Sequence, residues 1–145
     1  MDRLDLSTVT PNPYTALHRM NTEVEQFLAD AGVDPKLVEL LRLRVSHLNG
    51  CAFCLRLHTN RAQELGEAQQ RIEAVADWTS SDGFSAAERA ALLLADSITR
   101  LDTGVPDADY KPAQEHFGEE QIAGLVWAIS VINVFNRIAI ASTSS

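Results

Sequence analysis

The sequence predicts an all-α fold, a compact helical domain of about six or seven helices. Apolar residues recur at spacings of three and four along most of the chain. Helix-start and helix-stop signals such as Asp34-Pro35 and Asn49-Gly50 separate these periodic stretches. No segment alternates polar and apolar residues as a half-buried strand does. With 145 residues and no repeat or long linker, we expect one domain over residues 1–145.

Seven helices are expected, over residues 12–32, 34–48, 51–66, 68–76, 85–101, 106–118 and 119–141. Asn12-Pro13 opens the first helix, and Gly32 ends it. Asp34 is the expected N-cap of the second helix, with Pro35 at its first position. Asn49-Gly50 then breaks the chain before the third helix begins.

The later helices have their own start signals. Cys51 opens the third helix, and a short fourth helix follows it. Ser85-Ala86-Ala87-Glu88 is a capping box that starts the fifth helix, and Pro106-Asp107 starts the sixth. Glu119–Ala141 is apolar on more than one face, which predicts a helix central to the core or shared with another subunit. The polar tail Ser142–Ser145 is expected to be frayed.

Charge and composition argue against several classes of function. The net charge of −8 argues against binding nucleic acid or an anionic membrane surface. The first residues lack a secretory signal, and polar residues interrupt the apolar run of the last helix before it reaches bilayer length. We therefore expect a cytoplasmic protein. In that compartment a lone Cys-x-x-Cys pair is more often redox-active or metal-binding than a structural disulfide.

The two cysteines of the chain, Cys51 and Cys54, lie at the start of the third helix. Free backbone N–H groups and the helix dipole stabilise a thiolate there, and a second thiol three residues away can resolve the oxidised sulfur. His58 follows Cys54 by one helical turn and can move its proton. The dipole favours Cys51 as the more acidic thiol, whereas the positioned base favours Cys54, which we take as the attacking thiol.

Glu39 lies twelve residues before Cys51 on the preceding helix, among leucines and valines. A carboxylate on an apolar helix face is unusual unless it is paired. Packed against the next helix, Glu39 could reach His58 or a thiol and orient the proton transfer. Glu39, Cys51, Cys54 and His58 are therefore the candidate site residues.

These residues and their flanks carry a family resemblance that covers the chain from about Tyr14 to Ala141. The matching segments are Glu39, Leu43-Arg44-Val45-Ser46, Asn49-Gly50-Cys51-Ala52-Phe53-Cys54, His58-Thr59, Trp78, Phe84–Ala95, His116-Phe117 and Ile132–Arg137. The pattern resembles the alkylhydroperoxidase D and carboxymuconolactone decarboxylase family. Its decarboxylase branch acts on a lactone and lacks the cysteine pair, so we do not expect a decarboxylase.

The resemblance implies an all-helical fold that assembles into homo-oligomers, commonly trimers or hexamers. It implies an antioxidant enzyme, a peroxidase that reduces hydroperoxides with thiols and needs no bound cofactor. Cys54 would attack the peroxide, and Cys51 would resolve and meet a dithiol reductant, either a protein or a small molecule. His58 and Glu39 would form the proton relay.

One position departs from the family pattern. Peroxidase members carry a second relay histidine just before the second cysteine, where this chain has Phe53. The relay would then be shorter or run through water. His47, one turn before Cys51, is a possible substitute, although the Asn49-Gly50 break leaves its direction open.

Three other functions stay open at the level of sequence. One is a weakly catalytic or non-catalytic oligomer that senses redox state or belongs to a metabolic complex, and Phe53 motivates it. Another is a zinc site, with Cys51, Cys54, His58 and Glu39 as ligands. The third is an enzyme that acts on an unknown small molecule in the same pocket.

Overall fold

The structure is a computed structural model that describes residues 2–142. The helices in that range are α1 (Leu6–Val9), α2 (Pro11–Asp30), α3 (Pro35–Asn49), α4 (Ala52–Glu64), α5 (Gln69–Ala74), α6 (Ala86–Arg100), α7 (Asp107–His116) and α8 (Glu119–Ala141). A 3₁₀ helix, Val75–Ser80, continues α5. Over these residues the all-α prediction is confirmed, since the β pairing there is limited to one isolated bridge. The predicted frayed tail lies outside the described residues from position 143 onward.

The predicted starts of α3 and α6 are confirmed, whereas α2 begins at Pro11, one residue before the predicted Asn12. Asp34 caps α3 by accepting a hydrogen bond from the Lys36 amide, and Pro35 is the first helical residue. Ser85 and Glu88 form the expected reciprocal capping box at α6. The sequence analysis missed α1, because a four-residue helix is too short to show periodicity.

Helix α3 is the centre of the fold. Every residue of the stretch Leu37–Ser46 is buried, because α4, α6 and α8 pack around it. Glu39, Arg42 and Arg44 are therefore carried into the interior on a helix that is otherwise mostly leucine and valine. Charged groups in such a position need polar partners. Each of the three is paired with another charged side chain.

Helix α8 packs against α2, α3 and α6. Its inner face is buried, as predicted for a helix central to the core, while Trp127 and Val134 on its outer side are about half exposed. Within residues 2–142 it is also the one helix long and apolar enough to cross a bilayer, a property that core helices share. We draw no membrane assignment from it.

The contact between α2 and α8 depends on one glycine. A Cβ atom built at Gly124 would lie 2.5 Å from Cδ2 of Leu28, which is itself buried. The absence of a side chain at Gly124 therefore lets the two helices approach closely. This contact fixes α2, whose residues Tyr14, His18 and Asn21 line the cavity described below.

Candidate functional site

The turn between α3 and α4 sets the position of both cysteines. Gly50 ends α3 in the left-handed conformation, with φ of 67°, which glycine adopts without a steric penalty. The Cys51 amide then donates to the Ser46 carbonyl at 3.0 Å. Cys51 becomes the N-cap of α4, and its sulfur accepts a hydrogen bond from the Cys54 amide at 3.3 Å. The predicted helix start at Cys51 is thus confirmed.

Cys51 and Cys54 are joined in a disulfide, with their Cα atoms 5.3 Å apart. Although Cys51 lies at the start of α4, it is not exposed to solvent. Its side chain is fully buried, because α4 turns that position towards the core. Cys54 is 3% exposed and lines a cavity that Cys51 does not reach. A molecule in this cavity would therefore meet Cys54 rather than Cys51.

His58 and Glu39 are in direct contact inside the protein. Nδ1 of His58 lies 2.7 Å from Oε2 of Glu39, and both residues are 5% exposed. With the carboxylate ionised, Nδ1 carries the proton and Nε2 is left with a free lone pair, so the ring can act as a base through Nε2. Of the two partners that the sequence left open for Glu39, His58 or a thiol, the structure shows His58.

Arg42, one turn along α3, is the second partner of Glu39. It donates from Nη1 to Oε1 of Glu39 at 2.9 Å. Burial by itself raises the pKa of Glu39, but the hydrogen bond from His58 and the charge of Arg42 outweigh it and hold that pKa below its usual value. Glu39 is therefore a carboxylate at neutral pH.

The sequence analysis did not single out Arg42 as a site residue. It is 4% exposed, and its Nη2 also contacts Oδ1 of Asn21 at 3.1 Å and Oε1 of Glu25 at 3.0 Å on α2. The sequence did contain a signal for Arg42, since it is a basic residue three positions after Glu39 on the same apolar helix.

The cavity beside Cys54 has a volume of about 330 Å³. Apolar atoms form most of the surface of its wall, and polar side chains, among them Asp5, Asn21 and Arg42, contribute the rest. The lining side chains come mainly from α1, α2, α3, α4 and α8. They include Leu6, Tyr14, Phe53, Leu57, His58, Arg61, Ile132, Phe135 and Ile138. Such a lining suits an organic molecule with an apolar body and a small polar reacting group.

Aromatic rings cluster in this cavity wall. The His18 ring lies 4.7 Å from that of Tyr14 and 5.1 Å from that of Phe135. Phe53 lines the same cavity and is 49% exposed, so the position of the family's second histidine faces the cavity. His47 is exposed in the last turn of α3 and does not line the cavity, which removes the basis for treating it as a substitute.

An amide network holds the α3–α4 turn against α8. Nδ2 of Asn49 donates to Oδ1 of Asn133 at 2.9 Å and to Oδ1 of Asn136 at 3.0 Å. Asn136 is fully buried and donates in turn to the Ser46 hydroxyl at 3.1 Å. Arg137 extends the network by donating to Oδ1 of Asn133 at 2.8 Å.

The zinc alternative would require Cys51, Cys54, His58 and Glu39 to bind one ion. Among the described residues, no three or more His, Cys, Asp or Glu side chains are grouped so that they could hold a metal ion. The two sulfurs are bonded to each other, and His58 faces Glu39. The arrangement is that of a dithiol–disulfide pair beside a histidine–carboxylate pair.

These features define an all-helical protein with a redox-capable cysteine pair beside a cavity that opens to the surface. The model of the carboxymuconolactone decarboxylase family matches residues 15–97, which include both cysteines, His58 and Glu39. The chain belongs to this family.

Two bacterial proteins of similar sequence carry no assigned function. YdfG of Bacillus subtilis (strain 168) is 41% identical over 120 residues, which is 82% of each chain. YnjA of Escherichia coli (strain K12) is 29% identical over 105 residues, covering 72% of this chain and 58% of YnjA. Both are named as uncharacterised proteins.

Two solved structures share the fold. ATU0492 of Agrobacterium tumefaciens, a protein of unknown function named as a candidate antioxidant defence protein AhpD, is 30% identical. It superposes with a TM-score of 0.89 over 100% of this chain and 97% of its own. A peroxidase-related protein of Silicibacter sp. TM1040 superposes with a TM-score of 0.78 at 23% identity, over 88% and 66% of the two chains, and shows the fold alone. The fold is thus AhpD-like, as the resemblance implied.

Proposed function

We propose that this protein is a thiol-dependent alkyl hydroperoxide reductase with Cys54 as the attacking thiol. One observation carries the proposal. Cys54 and His58 line the same largely apolar cavity, while the far side of the His58 ring is held by Glu39 at 2.7 Å. This arrangement supports a relay in which Cys54 is the thiol, His58 the base and Glu39 the group that orients the base.

The first chemical step oxidises Cys54. In the reduced enzyme, Nε2 of His58 takes the Cys54 thiol proton, and the thiolate attacks an oxygen of the hydroperoxide. The O–O bond breaks, the leaving alkoxide takes the proton from His58, and an alcohol and the Cys54 sulfenic acid result. Sulfur gives up two electrons, and the peroxide bond receives them.

The second step involves Cys51. Its thiol attacks the Cys54 sulfur, water leaves, and the disulfide seen in the structure forms. An external dithiol then restores both thiols by two exchange steps and becomes a disulfide itself. Because Cys51 is fully buried while Cys54 lines the cavity, the structure favours entry of the reductant from the Cys54 side.

Two further expectations remain part of this proposal. A cytoplasmic location would supply the reducing conditions that return the disulfide to the dithiol. A homo-oligomer, a trimer or a hexamer, is consistent with the groove between α2 and α8, where Met20, Phe27 and Trp127 are about half exposed. Apolar side chains grouped in this way are typical of a face that another subunit covers.

The test is peroxide turnover by purified protein, with cumene hydroperoxide as the substrate and dithiothreitol as the reductant. Wild-type protein should consume both in equal amounts. Cys54→Ser should abolish turnover, while Cys51→Ser should still form one sulfenic acid per chain, detectable with dimedone. If Cys54→Ser consumes peroxide as fast as the wild type, the proposal is wrong.

A redox sensor is the second candidate, and the burial of Cys51 favours it. A disulfide shielded from reductants would persist and report past exposure to peroxide rather than turn over. The same assay separates the two functions. A sensor would consume about one equivalent of peroxide and then stop, whereas an enzyme would continue until the dithiothreitol is spent.

A further inference from the structure

Arg42 connects the candidate relay to a different helix. Its guanidinium is 4% exposed and donates to Glu39 on its own helix and to Asn21 and Glu25 on α2. These three contacts fix the rotation of the guanidinium plane. They also fix the Glu39 carboxylate, since Oε1 is held by Arg42 while Oε2 meets His58.

The same arginine lies between two cavities. Arg42 lines the Cys54 cavity and also a second cavity of about 570 Å³, whose wall includes Glu25, Glu39 and Glu64. Glu39 faces the second cavity and not the first. Arg61 lines both cavities as well, and of these two arginines it is Arg42 that donates to the relay carboxylate.

We propose that Arg42 is a positioning residue for the thiol chemistry, anchored by Asn21 and Glu25, which aims Glu39 at His58. This inference rests on the proposed function only in that it assumes a reactive Cys54. A guanidinium that binds two carboxylates and an amide oxygen is held in one geometry, which a single ion pair does not ensure. The relay is thus anchored to α2, the helix that also lines the Cys54 cavity.

A positioning role for Arg42 and a purely electrostatic role make different predictions. Besides Arg42 and Cys54, the charged or titratable side chains that line the two cavities come from α2, α3, α4 and the residue that caps α1. They are Asp5, Tyr14, His18, Glu25, Glu39, His58, Arg61 and Glu64. If Arg42 acts only through charge, removing Glu25 makes the site more positive and stabilises the Cys54 thiolate. If Arg42 acts by position, removing Glu25 and Asn21 releases the guanidinium and slows the reaction. The two roles predict opposite signs.

The experiment measures labelling of Cys54 by monobromobimane, in the reduced protein and a Cys51→Ser background, from pH 5 to pH 9. The double variant Asn21→Ala/Glu25→Ala changes residues that are not buried, so it should fold. We expect its labelling rate at pH 7 to fall about threefold, and that of Arg42→Met to fall at least tenfold. Both losses are parts of the ~10²–10⁴-fold contribution of a positioned base. Arg42→Lys should restore part of the rate.

Arg44→Met is the matched control. Arg44 is a buried arginine on the same helix, but it pairs with Asp96, at 2.6 Å, and does not line the Cys54 cavity. Arg44→Met should lower the free energy of unfolding. The rate of Cys54 labelling and its dependence on pH should stay those of the protein with Arg44. Faster labelling in the double variant, or an equal loss of rate in Arg44→Met, would overturn the proposal.

The labelling readout does not depend on peroxidase activity. If wild-type protein fails to turn over cumene hydroperoxide but the variants slow labelling as expected, the proposed function fails and the role of Arg42 stands. If turnover is present and the double variant labels and turns over like wild type, only the role of Arg42 fails.

Discussion

Glu39 and His58 are nineteen positions apart in the sequence, and their side chains meet at 2.7 Å between α3 and α4. Both are almost fully buried, so the contact is made in an environment that strengthens it and screens it little. It joins the helix at the centre of the core to the helix that carries the cysteines. The stability of the fold and the reactivity of Cys54 are therefore expected to depend on the same pair.

Glu39→Gln should change the acid stability of the protein. The pKa of Glu39 is below its ordinary value of 4.5, so its ionised form stabilises the folded state above that pH. This contribution is lost as the pH falls from about 4.5 through the lowered folded-state value. In urea unfolding at pH 7, Glu39→Gln should lower the free energy of unfolding by about 3 kcal/mol. Below pH 4.5, the free energy of unfolding of this variant should depend less on pH than that of the wild type.

Glu88→Gln is the control for that prediction. Burial raises the pKa of Glu88, but hydrogen bonds from Arg71 and Ser85 outweigh this and lower it, and Glu88 does not line the Cys54 cavity. Its replacement should also weaken the acid dependence of stability, yet leave bimane labelling of Cys54 unchanged. Glu39→Gln should slow that labelling. Equal labelling rates in the two variants would show that Glu39 has only a structural role.

Phe53→His should raise peroxide turnover. Phe53 lines the cavity next to Cys54 and is half exposed, so an imidazole fits there without disturbing the core. A second base beside the thiol would add a route for proton transfer. Thermal unfolding should show a change within about 0.5 kcal/mol, as for other surface substitutions. Phe53→Leu is the control, and turnover in Phe53→His no higher than in Phe53→Leu would contradict the prediction.

Gly124→Ala should destabilise the α2–α8 contact. The new methyl group would lie 2.5 Å from Leu28 Cδ2, and burial leaves that side chain little room to move. We expect a loss of about 1–3 kcal/mol in the free energy of unfolding. Leu28→Ala alone should cost about 2–5 kcal/mol. The double variant should lose clearly less than the sum, because the added methyl fills space that Leu28 vacates, and simple additivity would mean that the two sites do not meet.

Asn136→Leu should weaken the attachment of the α3–α4 turn to α8. Asn136 is fully buried, and its removal leaves the Ser46 hydroxyl and one Asn49 amide hydrogen bond without their partner. The expected loss is about 1–3 kcal/mol in denaturant unfolding. Replacing exposed Arg137 by alanine serves as the comparison and should change stability by less than about 0.5 kcal/mol. An equally large loss in Arg137→Ala would contradict the prediction, because exposed Arg137 would then contribute as much to stability as buried Asn136.

Local signals were sufficient for most of the helices. The proline and aspartate at the start of α3 and the Ser85–Glu88 box act within four residues, so they can be identified without knowledge of the fold. Helix α1 and the 3₁₀ helix after α5 were not predicted, because they are too short for periodicity to appear. The spacing of Cys54 and His58 likewise fixes their common helix face.

The burial of Cys51 could not be predicted in this way. Helix phasing places Cys51 in the first turn of α4, but whether that turn faces solvent depends on α3 and α8, which are packed around it. The contacts of Arg42 with Asn21 and Glu25 span 21 and 17 residues and depend on how α2 crosses α3. Such long-range pairings are set by packing rather than by sequence spacing.

The sequence by itself determined the helical class, the order of the main helices and the cysteine, histidine and glutamate residues of the candidate site. These follow from periodicity, capping and spacing, which operate within one or two helical turns. Only the tertiary structure decided that Cys54 rather than Cys51 lines the cavity, that Glu39 meets His58, and that Arg42 links that pair to α2. The physical reason is that burial and long-range hydrogen bonds depend on how helices distant in sequence pack against one another.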